Sequence, residues 1–207
     1  MICKWVVCQA TDREAFDRGQ RAWTDLAALP GFLGQAGGWS AAVPGQAHVF
    51  GFWADRKSYD AFMAASHDRL AADHRSSYGE IEVRLFDVTL EIGTFRPAEL
   101  TRTEVVRLAH CLVRPDRREH FVAVQRDVWI PAMSSAAGML GGTFGKRDRG
   151  PERAEFLVLS LWESAGEQRD YSSGSVHRLR QAANTAEDIE HLVGALIELE
   201  PAWTVLP

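Results

Sequence analysis

The chain has 207 residues, 46% hydrophobic and 25% charged, the balance of a folded globular protein with a real core. Its 23 basic against 28 acidic residues leave a formal charge of −5, so there is no basic stripe for nucleic-acid phosphates and no attraction to an anionic membrane. The apolar start, Met1 to Cys8, meets Asp12-Arg13-Glu14 too soon for a signal peptide or a membrane span, and the expected location is cytoplasmic.

Read in order, the chain passes twice through one plan. A strand dense in Val, Leu, Trp and Cys opens each half, Ile2 to Gln9 and Val105 to Val113, as expected of a strand covered on both faces. A helix follows each. Glu14/Glu119, Phe16/Phe121, Gln20/Gln125 and Arg21/Arg126 match at one constant spacing, which marks an internal repeat. Glycine-containing turns, Leu29 to Gly34 and Ala137 to Gly142, lead into two further strands per half: 34–42 and 47–53, then 141–146 and 154–162. A second helical segment starts just past Trp53 and just past Trp162. Closing strands are expected over 81–92 and 195–205, the latter after a short helix over 185–193.

Each half therefore reads β-α-β-β-α-β, the ferredoxin-like unit. The repeats are placed at residues 1–97 and 103–207, joined by Arg96 to Thr101. One such sheet carries helices on one face and leaves the other apolar, so it must be covered. The expected fold is α+β, two tandem ferredoxin-like repeats forming a pseudo-dimeric α/β barrel in one chain, as a monomer or a further homodimer. Cys3, Cys8 and Cys111 lie in apolar strands without a CxxC pair, so buried thiols are expected, and no metal site. Phosphate-loop, HExxH and G-x-S-x-G motifs occur in no usable context.

With Gln20-Arg21-x-Trp23, Gly31-Phe32-Leu33-Gly34-Gln35, Ser66-His67-Asp68-Arg69 and the matching second half, the chain resembles the dimeric α/β-barrel superfamily of antibiotic-biosynthesis monooxygenases and stress-responsive barrels, above all its tandem-repeat, YdbC-like bacterial members. The resemblance implies a pocket between each sheet and its own helices. Trp162-Glu163-Ser164, Asp170-Tyr171 and His177 are similar to the pattern of the stress-responsive group, whose cyclases also carry a first-strand histidine like His110. By that resemblance His177, Tyr171 and His110 form an acid/base set. Haem-degrading members use a histidine on the second helix, which points to His67 or His74 as an axial ligand in a haem-binding alternative, although Phe62 stands where those enzymes carry a tryptophan.

The residues add their own argument. Tyr171 and His177 are six apart and cannot share one face of a continuous helix. Ser172-Ser173-Gly174-Ser175 supplies a break, with Ser175 as the cap of a new helix and Ser66 repeating the device before His67. A histidine in a helix's first turn is disfavoured as a cation, as a general base requires. The plain alternative for each histidine is a satisfied structural residue, and for each tryptophan a core or seam residue. Trp162, Trp129, Trp53, His67, Phe62 and Trp5 are the candidate lining of a pocket for a small hydrophobic ligand, aromatic or polyketide-like. The reaction expected there is a cofactor-independent oxygenase or cyclase step, with a non-catalytic stress-related binding protein as the other alternative.

Overall fold

The computed structural model describes residues 1–148, 150, 154–174 and 176–207, and all of their side chains except those of residues 73, 74, 148 and 177. The charged tip expected over Lys146 to Arg153, the Ser175 cap and the side chains of His74 and His177 thus lie wholly or partly outside the described residues.

The first pass gives β1 (Ile2–Ala10), α1 (Arg13–Arg21), β2 (Phe32–Ser40), β3 (Gln46–Trp53), α2 (Arg56–Ala65), α3 (His67–Ala71) and β4 (Tyr78–Ile92). The second gives β5 (Val105–Val113), α4 (Arg118–Val124), α5 (Ile130–Ser134), β6 (Met139–Asp148), β7 (Ala154–Trp162), α6 (Ala165–Gly174), α7 (Val176–Ala183) and β8 (Ile189–Leu199). The fold is α+β with two ferredoxin-like passes, and the antiparallel strands close in the order β1-β3-β2-β8-β5-β7-β6-β4. No helix among the described residues is long and apolar enough to cross a membrane.

Two compact units divide the chain differently from the sequence repeat: Met1–Phe86 with Ile197–Pro207, and Asp87–Leu196. The long closing strands are the cause. The last part of β4 pairs with β6, from Asp87↔Lys146 to Ile92↔Gly142, and the last residues of β8 pair with β2, from Gly38↔Leu199 to Ser40↔Ile197. The linker segment Pro97–Thr101 is a 3-10 turn that buries Leu100.

In the first unit, Asp12 and Asp55 cap α1 and α2, accepting from the backbone N–H groups of Ala15 at 2.9 Å and Ser58 at 2.8 Å. The turn before β2 needs Gly31, whose φ is +75° and where a Cβ would run into Ser58; Gly138 (φ +70°) occupies the same place before β6 in the second unit, against Glu167. Two aromatic clusters fill the space between sheet and helices. Trp53 lies flat on Phe62 (5.0 Å, 22°), and Phe16 packs with Trp39 and Trp203. Trp203 explains a difference at the C-terminus: the closing strand runs 189–199, Pro201 begins a 3-10 turn, and the indole N–H of Trp203 donates to Asp17 at 2.8 Å. The expected helix over 185–193 reduces to a 3-10 turn, Thr185–Glu187.

The second unit packs Phe121, Phe144 and Phe156 together with Cys111. Its first helix is interrupted by a π-helical turn, Gln125–Trp129. The extra residue matters for the site. At the spacing set by Gln20/Gln125, Trp23 would correspond to Val128, but the π turn advances the chain by one residue and brings Trp129 to that place. All three cysteines are free and buried, and burial pushes their thiols up, to about 12 for Cys8 and Cys111.

Candidate functional site

Each unit holds a cavity between its sheet and its own helices. Alternation along the first strand decides what reaches it: Lys4, Val6 and Cys8 line the first pocket, and Arg107, Ala109 and Cys111 the second. Strand pairing aligns the halves more closely than the helix spacing does. Lys4 faces Gly51 and Arg107 faces Ser160, so Lys4 corresponds to Arg107, and Cys8 to Cys111. Strand and helix spacings differ by two residues because a 3-10 turn, Pro115–Arg117, lengthens the second strand-to-helix connection.

The second pocket, about 310 Å³, is walled by Phe121, Trp129, Met133, Val158, Trp162 and Leu192. Tyr171 reaches it from α6, its ring tilted against Trp162 at 5.1 Å. The Tyr171 hydroxyl is buried and has no hydrogen-bond partner among the described residues. Burial raises its pKa to about 12, against a smaller opposite pull from Arg107. Tyr171 is therefore a protonated donor at neutral pH, suited to an oxygen acceptor on a ligand. Arg107 and Arg180 supply positive charge in the same lining, where no carboxylate occurs among the described residues.

The first pocket, about 600 Å³, is lined by Phe16, Trp23, Tyr59 and Tyr78, with Lys4 and Gln35 on its sheet side and His67 on its helix side. His67 Nδ1 lies 3.1 Å from the Asp68 carboxylate, and its ring packs on Phe62 and Trp23. Ser66, expected as a cap, makes no side-chain cap bond. Val176 lines the second pocket at the place that His67 holds in the first.

The sequence-derived candidates separate accordingly. Tyr171, Trp162 and Trp129 come together on the second pocket; His177 has its backbone in the first turn of α7, and its side chain lies outside the described residues. His110 does not join them. It points to the other face of β5, buried, with Nε2 2.8 Å from Glu155, whose second oxygen accepts from Arg147 at 3.5 Å. This is the buried partner that an interior imidazole needs. Trp5 also lies on the face away from the helices, donating its indole N–H to His48 Nδ1 at 3.1 Å, and burial lowers His48 to about 4. Trp53 and Phe62 are core residues beneath the first pocket, and the His74 side chain is outside the described residues. Lys4, Gln35 and Arg107 are among the polar pocket residues that sequence reasoning passed over.

The family described as Domain of unknown function (DUF4937) matches residues 2–86. The uncharacterized protein YdbC of Bacillus subtilis (strain 168) is 33% identical over 93 residues, which are 42% of this chain and 78% of that one. A solved structure of a putative monooxygenase from Lactobacillus acidophilus NCFM is similar with a TM-score of 0.76 at 14% identity, over 99% of this chain and 95% of that one. An anthrone oxidase-like protein follows the same fold with a TM-score of 0.67 at 14% identity, over 96% and 91%. At these identities the two structures speak for fold alone.

Proposed function

The chain belongs to the family of YdbC, and on that premise we propose that it is a small-molecule enzyme whose second pocket holds a hydrophobic aromatic or polyketide-like substrate and acts on it by proton transfer, as a cofactor-independent oxygenase or cyclase. The observation that carries this reading is the Tyr171 hydroxyl: enclosed, unpartnered, and set in an apolar cavity beside Arg107. A buried donor without an acceptor costs about 1–3 kcal/mol, and a substrate carbonyl or enolate oxygen removes that cost. Tyr171 donates to this oxygen, the guanidinium of Arg107 favours the negative charge that develops there, and Trp129 and Trp162 hold the ring system. In this proposal the base is His177, whose backbone lies in the first turn of α7.

The test uses anthrone as a probe, with oxygen uptake followed on the parent, Tyr171→Phe and His177→Ala proteins. Saturable uptake that falls in both variants, on the order of 10² or more, supports the reading. Parental rates in both variants overturn it.

A second reading places haem in the first pocket. His67 lines that pocket, and with Nδ1 against Asp68 its Nε2 is the ring atom left for a metal. Haem bound there would supply oxygen activation. A Soret band that saturates with haemin and is lost in His67→Ala would establish this reading, and its absence in the parent removes it.

A further inference from the structure

Three strands of the first unit bring one row of residues onto the helix-facing side of the sheet. Lys4 on β1 pairs with Gly51 on β3, and Gly51 pairs with Gln35 on β2. Gly51 leaves room in the middle for one methyl-sized group: a Cβ there would stand in ordinary contact, 3.6 Å from Lys4 Cε and 3.7 Å from the indole nitrogen of Trp53. Hydrogen-bond donors lie on either side of it in the row. Lys4 is only 8% exposed, and its ammonium makes no ion pair or hydrogen bond among the described residues; its company is the Trp23 and Phe62 rings, each 5.7 Å away. Gln35 is 2% exposed, and its Nε2 is buried without a partner among the described residues.

A buried ammonium and a buried amide N–H without an acceptor are an expensive arrangement. A carboxylate offers what they lack: one negative charge and several lone pairs. The surroundings fit such a ligand. The cavity is walled by Phe16, Trp23, Tyr59 and Tyr78 and is lined by no Asp or Glu among the described residues. Its volume of about 600 Å³ is ample for a one- or two-ring compound. We propose that the first unit's pocket binds a small aromatic carboxylate, with the carboxylate over Gly51 between the Lys4 ammonium and the Gln35 amide.

The corresponding row of the second unit is closed. Arg107, Ser160 and Gly142 pair across β5, β7 and β6. The Ser160 hydroxyl accepts the Trp162 indole N–H at 2.9 Å, and Arg107 donates to the Leu108 carbonyl at 2.8 Å. The anion site therefore belongs to the first unit, and all of its residues lie outside the second pocket.

Calorimetric titration with 2-naphthoate and with its neutral counterpart 2-naphthamide tests the proposal, on the parent and on Lys4→Met, Gln35→Leu and Gly51→Ser, each checked for folding by circular dichroism and thermal melting. The acid should bind the parent at least tenfold more tightly than the amide. Lys4→Met should abolish that preference, Gln35→Leu should reduce it, and Gly51→Ser should weaken the acid by crowding Lys4. Equal affinities of acid and amide for the parent would overturn the proposal, as would unchanged acid binding in folded Lys4→Met or, if that variant does not fold, in folded Gln35→Leu and Gly51→Ser.

Discussion

The two pockets start from the same strand positions and differ by a few atoms. Where the second unit has Ser160 between Arg107 and Gly142, the first has Gly51 between Lys4 and Gln35. One hydroxyl accepts from the Trp162 indole, and the first unit has no side chain at the matching place beside the Trp53 indole. The unmet polar group moves elsewhere in the second unit: Tyr171 carries an unpartnered hydroxyl where the first unit has Phe62 within its aromatic core. A duplicated fold thus keeps its backbone register while its unmet polar groups fall at different places, on the sheet in one half and on a helix in the other.

The largest effects test the shared part. Trp53→Ala and Trp162→Ala each remove a fully buried indole, and each should cost about 3–5 kcal/mol in denaturant unfolding. A loss under 1 kcal/mol at either would mean that its unit does not depend on that cluster.

Lys4 gives the next effect, with the opposite sign. Burial lowers its pKa from 10.5 to about 8, so between those values the unfolded chain binds more protons and stability rises with pH. The cost is fully present below pH 8 and is relieved as pH approaches 10.5. Lys4→Met should therefore stabilise the protein at pH 7 by roughly 3–4 kcal/mol at about 1.4 kcal/mol per pKa unit, and the gain should fade in alkali. The other titratable groups on that pocket are Cys8, Tyr59, His67, Arg75 and Tyr78, so the comparison has to be made as a difference from the parent at each pH. No stabilisation at pH 7 would contradict an unpaired buried ammonium.

Exchanging the middle residues gives the smallest effect. Gly51→Ser should gain, and Ser160→Gly lose, about 1 kcal/mol, the usual net worth of one hydrogen bond. Thermal melting of the pair would sharpen the comparison, and like-signed shifts would break it.

Much of the fold was legible because the repeat writes the same apolar runs, turn glycines and helix identities twice. The closing strand was displaced, at 189–199 instead of 195–205, because Trp203 reads as a strand residue although Pro201 turns the chain and Asp17 holds the indole. The site was less legible. In strands apolar on both faces, alternation does not say which set meets the helices, and helix identities place the first strands two residues out of register. That slip pairs His110 with Trp5, whereas the strand pairing sets it opposite the position of Val7, facing Glu155. The signal that could have found the first pocket was Lys4, a lone charge inside Ile2 to Cys8. Neither the π turn that delivers Trp129 nor the gap at Gly51 has a sequence signature of its own.

The most direct test is a crystal structure with 2-naphthoate bound. The account predicts the carboxylate over Gly51, within hydrogen-bonding distance of Lys4 and Gln35, with the ring among Phe16, Trp23 and Tyr59. A carboxylate bound instead to Arg107 in the second pocket would contradict it.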